Sequence, residues 1–371
     1  MRLDMTPASA IVGSTVVFMA VVSIVVFYPV LEYQLVEPSE AWRERTVEED
    51  RGREIYMQNG CFNCHSQYVR PQDWEYGGGR VAESGDYVGD TPPLWGSERQ
   101  GPDLQQAGGL RSDGWHFAHF HNARHVRPDS IMPPFHWLSM QQVLDLTEYV
   151  QGLGYRDADA RYARYLRWRN AAHEAYMAGA DANTEWLHGH VPSAWMDLPN
   201  PYPADEEALA NGAVVYQHYC IGCHGPVGDG NGPAGRFLRG QYSSDLGREM
   251  AALIESGEFR EAPPYNFTYL RSWEDRGPIG GMIYYQVMNG ITGTSMPVFK
   301  HELESARIWD VANYIAVNFA GAYPAGSSEL MRWGENYRGI PATYEPPMER
   351  EFEPIPLEEV LENPYEMGDG S

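Results

Sequence analysis

The sequence predicts a mostly α-helical protein: one N-terminal transmembrane helix followed by two domains built to the same plan. Three observations predict it. There is an unbroken apolar run near the N-terminus, a Cys-x-x-Cys-His motif that occurs twice, and a matching order of helical segments around each copy. The copies are Cys61–Phe–Asn–Cys64–His65 and Cys220–Ile–Gly–Cys223–His224, and they use all 4 cysteines of the 371-residue chain.

The apolar run extends from Ala8 to Leu31 without a charge. More than ~18 apolar residues are enough to cross a bilayer as a helix. A cleaved signal peptide has an apolar region of about 7–15 residues and a small-residue exit site. Here Glu32–Tyr–Gln–Leu35 follows and offers no such site. A buried core helix would need a polar face, which the run lacks. Residues 1–35 therefore read as an uncleaved anchor that places the chain in contact with membrane lipid. Arg2 is the one basic residue before the span, so the positive-inside rule puts the N-terminus in the cytoplasm.

Composition excludes some partners. A net charge of −24 and a pI near 4.8 argue against nucleic acid, which selects a basic surface. Lys300 is the only lysine. Acid concentrates in a Pro-rich tail, 326–371, which reads as an extended solvated segment or as a strap on a partner. Phe352, Ile355, Leu357, Val360 and Leu361 are its residues able to dock.

Cys-x-x-Cys-His is the attachment signature of a c-type haem. Its thiols are spaced to form thioethers with two haem vinyl groups, and the histidine follows as proximal iron ligand. Two alternatives fit less well. A zinc ribbon places its Cys pairs about 15–20 residues apart, and a thioredoxin-like pair has no need of a histidine after each motif. The reading is two covalently bound haems c, in a chain with no nucleophile, general-base pair or phosphate loop of its own. Bacteria attach such haem outside the inner (cytoplasmic) membrane, so the chain after the single span is expected in the periplasm.

The frames around the motifs match. Thr46 and Glu49 form a capping box that opens a helix running to Asn59. Asp205–Tyr219 sets Leu209, Gly212, Ala213 and Tyr216 on one helical face. Each motif is followed by a Gly/Pro-rich loop, a Met-Pro pair (Met132–Pro133, Met296–Pro297) and a closing amphipathic segment containing Asp145–Tyr149 or Asp310–Tyr314. His-to-Met separation is about 70 residues in both halves, as in a duplicated unit. Met132 and Met296 are the candidate distal ligands, their thioethers stabilising ferrous iron. Met140, Met250, Met282 and Met288 read as core. A carbonyl must accept the proximal histidine's Nδ1–H. In cytochromes c, which this repeated frame resembles, the acceptor is a proline carbonyl in a Gly-Pro step. Gly101–Pro102 and Gly232–Pro233 fit, so the resemblance implies Pro102 and Pro233, the other reading being ordinary turns. His116, His119, His121 and His125 crowd one stretch, but lack the companions a zinc or copper site requires.

The repeated frame resembles the class I cytochrome c fold, twice over. The first half carries a narrower resemblance in Gly60–Cys–Phe–Asn–Cys–His–Ser–Gln67, Val69–Arg–Pro71, Leu94–Trp–Gly–Ser97, Arg99–Gln–Gly–Pro–Asp–Leu104, Trp115–His116 and Met132–Pro–Pro–Phe135. These strings, spread over residues 1–150, resemble the mono-haem subunit (subunit II) of cbb3-type haem–copper oxidases, which also has one N-terminal transmembrane helix. The resemblance implies that Cys61 and Cys64 bind haem, with His65 and Met132 as axial ligands and Arg70 near a propionate. By the same repeat, Cys220, Cys223, His224 and Met296 hold the second haem. The departure comes after Gly154. Residues 155–203, with Arg161, Arg164, Arg167 and Arg169, read as a helical linker whose basic face is solvated or meets lipid headgroups. A second cytochrome domain then spans 204–325, after a first at 36–154. Its run from Cys220 to Pro233, with Asn266–Phe–Thr268 and Gly293–Thr–Ser–Met–Pro297, resembles cytochromes c of many respiratory complexes.

The resemblance implies an electron-transfer subunit of a terminal oxidase. Electrons would pass from a periplasmic donor such as a cytochrome c, through the second haem to the first, and on to a polytopic catalytic subunit that reduces oxygen and pumps protons. A cytochrome subunit of a haem–copper-type nitric oxide reductase, a stand-alone anchored shuttle and a haem-based gas sensor are the alternatives. The Met-Pro pairs argue against the last, which needs an open coordination site.

Overall fold

The computed structural model describes residues 6–319 except 34, 73–78, 97, 197, 199, 203 and 271–279. Arg2 and the acidic tail, with its candidate docking residues, lie outside the described residues.

Helix α1 spans Pro7–Tyr33, 27 residues. Thr6 caps it through a reciprocal box with Ser9, and proline occupies its first turn, where a missing N–H costs nothing. At ~1.5 Å rise per residue it exceeds the ~30 Å hydrocarbon core of a bilayer. None of its residues is buried, so its apolar surface faces no protein core. It is a candidate membrane anchor. Its end is tied to the first domain: the Tyr33 hydroxyl donates to the Tyr87 carbonyl, and Trp42 Nε1 donates to Val88 O at 2.9 Å.

The first domain contains α2 (Val47–Gln58), α3 (Asp113–His121), α4 (Ala123–Val126) and α5 (Met140–Gly152). The capping box at α2 forms as the sequence indicates, with Thr46 Oγ1 accepting from Glu49 N at 3.1 Å and the Glu49 carboxylate from Thr46 N at 2.8 Å. Three helices follow: α6 (Tyr155–Met177), α7 (Ala180–Gly189) and α8 (Ser193–Met196). The second domain contains α9 (Glu206–Val215), α10 (Ile221–His224), α11 (Pro233–Leu238), α12 (Asp245–Ser256), α13 (Gly280–Asn289) and α14 (Ser305–Asn318). Among the described residues there is no strand, only an isolated bridge between Ala262 and Thr294.

Each domain is closed by one helix crossing, and both crossings turn on a glycine. A Cβ at Gly52 of α2 would lie 1.9 Å from the Asp145 carbonyl oxygen in α5. At Gly212 of α9 it would lie 2.2 Å from the Asp310 carbonyl oxygen in α14. One turn further on, Tyr56 meets Tyr149 at 5.3 Å between ring centroids, and Tyr216 meets Tyr314 at 5.5 Å. The duplication therefore reaches down to individual contacts.

The halves are nevertheless not separate bodies. The core holding Tyr56, Phe117, Leu146 and Tyr149 also takes in Phe237, Leu238, Leu246, Met250 and Phe259 from the second repeat. Residues 155–203 are more than a spacer. Tyr165 of α6 is buried and its hydroxyl donates to Glu261, while Trp195 of α8 stacks on Tyr284 at 5.5 Å. Arg161, Arg164, Arg167 and Arg169 of α6 divide accordingly. Arg161 donates to Gly108 O at 2.8 Å and Arg169 pairs with Asp113 at 3.3 Å, while Arg164 and Arg167 stay exposed.

Candidate functional site

In the first domain, Gly60 at φ 69° turns the chain from α2 into a short 3-10 turn, Cys61–Asn63. A left-handed φ is cheap only for glycine. His65 N donates back to Cys61 O at 2.9 Å, which holds the motif compact. The His65 imidazole lies 2.9 Å from the Pro102 carbonyl through Nδ1. With Nδ1–H donating there, Nε2 carries the lone pair, the form that binds a metal. The ring lies flat against Gly101, where a Cβ would come 2.2 Å from His65 Cε1. Asp103 clamps this loop, accepting from Ser66 Oγ at 2.6 Å and Tyr68 N at 2.8 Å. Burial lowers the pKa of His65, only partly opposed by the Pro102 carbonyl, which keeps the imidazole neutral for ligation. Met132 and Cys61 both pack on the first core.

The second domain repeats the arrangement with a different acceptor. The turn Tyr216–Cys220 leads into α10, which ends at His224 before Gly225 at φ 78°. His224 Nδ1 lies 3.0 Å from the Tyr265 carbonyl, and its ring stacks on Phe267 at 4.3 Å. Burial above all brings its pKa down to about 4, so it too is neutral at pH 7. Cys220, Cys223, His224 and Met296 line one largely apolar cavity. The methionines are held alike: Met132 N donates to Ser130 Oγ at 3.2 Å and Met296 N to Thr294 Oγ1 at 3.1 Å. None of the cysteines is in a disulfide, and burial holds the Cys220 and Cys223 thiols up at about 12. This donor set of two thiols, a neutral imidazole with Nδ1 engaged and a thioether suits a covalently attached haem.

Residues 2–188 match the family model described as "Cytochrome C oxidase, mono-heme subunit/FixO". The chain belongs to the FixO family. Residues 207–315 of this FixO-family chain match a second model, "Cytochrome C oxidase, cbb3-type, subunit III". The expectation of a cbb3 mono-haem subunit fused to a further cytochrome c domain is thereby met, as is the mostly helical fold. Both families are cytochrome c subunits of a cbb3-type oxidase and imply covalently bound haem c and association with its haem–copper catalytic subunit. No curated protein matches the chain. Among solved structures, a reducing HAO-like protein complex of Kuenenia stuttgartiensis is similar at 19% identity, covering 76% of this chain and 100% of that one, with a TM-score of 0.24.

One expectation is corrected. Pro233 is not the acceptor for His224; it is the first residue of α11, and the acceptor is the Tyr265 carbonyl. Gly232–Pro233 instead serves close packing, since a Cβ at Gly232 would lie 2.3 Å from the Gly222 carbonyl oxygen. The signal for Tyr265 was the Asn266–Phe–Thr268 string. Asn266 Oδ1 accepts from Thr268 N at 2.9 Å, and this turn aims the preceding carbonyl and the Phe267 ring at His224. Met140, Met250 and Met282 are buried in the cores, and Met288 packs against the second. Arg70 is half-buried just after the first motif. The four histidines each have a local role. His121 Nε2 pairs with Ser244 Oγ at 2.9 Å and His125 Nε2 with the Tyr242 hydroxyl at 3.1 Å, across the domain boundary. His116 and His119 flank Trp115, and His119 stacks on it at 4.5 Å. No motif signals that Trp115, Arg111 and Arg127 of the first domain line the second cavity.

Proposed function

We propose that this chain is a membrane-anchored di-haem cytochrome subunit. It relays electrons from a periplasmic donor such as a cytochrome c to the catalytic subunit of a cbb3-type oxidase, where oxygen is reduced and protons are pumped. The observation that carries this reading is the repeated proximal device: in both halves the motif histidine gives Nδ1 to a backbone carbonyl, at 2.9 and 3.0 Å, leaving Nε2 for iron. Haem c, once attached, supplies one-electron exchange between ferric and ferrous iron. Cys61 and Cys64, with His65 and Met132 as axial ligands, hold the first; Cys220 and Cys223, with His224 and Met296, hold the second. Arg70 is assigned to a propionate of the first. Helix α1 crosses the inner membrane, in contact with lipid, and keeps the first domain at the periplasmic surface. The first domain is thus the exit toward the catalytic subunit and the second the entry for the donor.

The test is haem and metal analysis of the native complex, purified through this chain from mild-detergent membranes. Two haems c per chain, with haem b and copper alongside, are expected. Haem b without copper reassigns the partner to a nitric oxide reductase. One haem c per chain refutes the relay.

A further inference from the structure

The first domain supplies the cations of the second cavity. Arg111, just before α3, and Arg127, just after α4, both line the cavity that holds Cys220, His224 and Met296. Together they grip one carboxylate, Arg111 Nη2 at 3.1 Å from Glu302 Oε1 and Arg127 Nη1 at 2.8 Å from Glu302 Oε2. Glu302 is the only carboxylate on the cavity wall among the described residues. Arg127 is otherwise engaged: Nη2 with the Tyr219 hydroxyl at 3.2 Å and Nε with Asp129, outside the cavity, at 3.3 Å. Arg111 is under-used. Its one other hydrogen bond among the described residues is from Nη1 to the Leu110 carbonyl at 3.3 Å, and its guanidinium lies over the Trp115 ring at 5.5 Å. A guanidinium has five N–H donors, so most of those of this partly exposed Arg111 have no acceptor among the described residues. Burial above all lowers its pKa, opposed by Glu302 and reinforced by Arg127 beside it.

We infer that Arg111, supported by Arg127, binds the propionate carboxylates of the haem attached at Cys220 and Cys223, so that the first domain completes the second domain's cofactor site. A planar guanidinium matches a carboxylate in two-point geometry. The rest of the wall is largely apolar, and a haem there brings two carboxylates that need partners. Glu302 competes for the same cations and sets how much positive charge reaches the haem.

The inference rests on the di-haem reading, and its test separates the two. Haem stoichiometry is measured first by pyridine haemochrome, then each haem's midpoint potential by spectropotentiometric titration of the full chain in its native complex. Arg111→Gln and Arg127→Gln leave a propionate less compensated and favour ferric iron. The ferric-to-ferrous ratio of one haem then rises about tenfold at fixed potential, about 59 mV for one electron. Glu302→Gln frees both cations and shifts the same haem in the opposite direction. Arg111→Lys keeps the charge and restores most of the potential. A merely structural role moves Arg127→Gln and Glu302→Gln in the same direction, as would a misfolded Arg111→Gln, so the opposed signs decide. Two haems with unmoved potentials, or equal shifts in both haems, overturn the inference and leave the relay standing. A single haem overturns the relay itself.

Discussion

Replacing Gly52 or Gly212 by alanine tests the helix crossings that close each domain. Alanine is the better helix former by about 0.8–1.0 kcal/mol, so propensity alone predicts stabilisation. The crossing predicts the reverse. The new methyl would sit 1.9 Å from the Asp145 carbonyl oxygen or 2.2 Å from that of Asp310, and 2.7 Å from Tyr149 or Tyr314 Cβ. The nearest obstacles are backbone and Cβ atoms, which no rotamer change removes. Overpacking typically costs about 1–3 kcal/mol, and more where the backbone must move. The obstacle here puts the cost at the upper end, so each variant is expected to lose about 1–2 kcal/mol net, or roughly 2–4 °C in Tm per kcal/mol for two halves that share a core.

The control is Gly189→Ala at the end of α7, where a Cβ meets nothing within 4 Å; it gains propensity at no steric cost. Scanning calorimetry of the detergent-solubilised chain would follow all three. If Gly52→Ala and Gly212→Ala behave like Gly189→Ala, neutral or stabilising, then α2 does not cross α5, nor α9 α14, at these glycines. The duplicated-fold argument then loses its structural basis.

Three further outcomes are expected. On the proposed di-haem ligation, Met132→Ala and Met296→Ala each remove a thioether ligand; each should abolish the sulfur-to-iron charge-transfer absorption of one haem and lower that haem's potential, while the other haem is unchanged. Phe237, fully buried and contributed by the second repeat to the first core, should cost about 3–5 kcal/mol when cut to alanine, and hydrogen exchange should show α2 and α5 losing protection along with α11. Glu261 accepts from Tyr165 and Ser295 close to Asp113, itself paired with Arg169, and burial above all raises its pKa from 4.5 to about 7. The folded state then holds a proton that the unfolded state releases. Stability should fall as pH rises from about 4.5 to 7, by on the order of 2–3 kcal/mol, and level off above; denaturation midpoints across this range should flatten in Glu261→Gln.

What was legible in the sequence is what local chemistry dictates. Cys-x-x-Cys-His, the Thr46–Glu49 box and the apolar run each signal local structure, and the structure shows a helical turn at both motifs, the cap and the helix. Gly212 was legible as part of a helical face, but its role in the crossing depends on α14, about 100 residues away. The Tyr265 acceptor left only an indirect trace, the Asn266–Phe–Thr268 turn beside it, because a backbone carbonyl itself has no residue signature: every residue type carries one.

The contact between the halves was hidden by the very similarity that announces them. A repeat shows what two copies share, whereas a surface that joins copy one to copy two must differ between them. Asn63 and Gly222 occupy the same place in the two motifs. Asn63 is exposed, while Gly222 is buried with its Cα so close to α4 that a Cβ would lie 2.3 Å from the His125 carbonyl oxygen. Only a glycine lets the second motif dock there. That docking sets the second motif beside the stretch of the first domain that carries Arg127, one residue past the end of α4. The asymmetry within the repeat, read position by position, is thus where the sequence records that two similar domains are built into one electron-transfer unit.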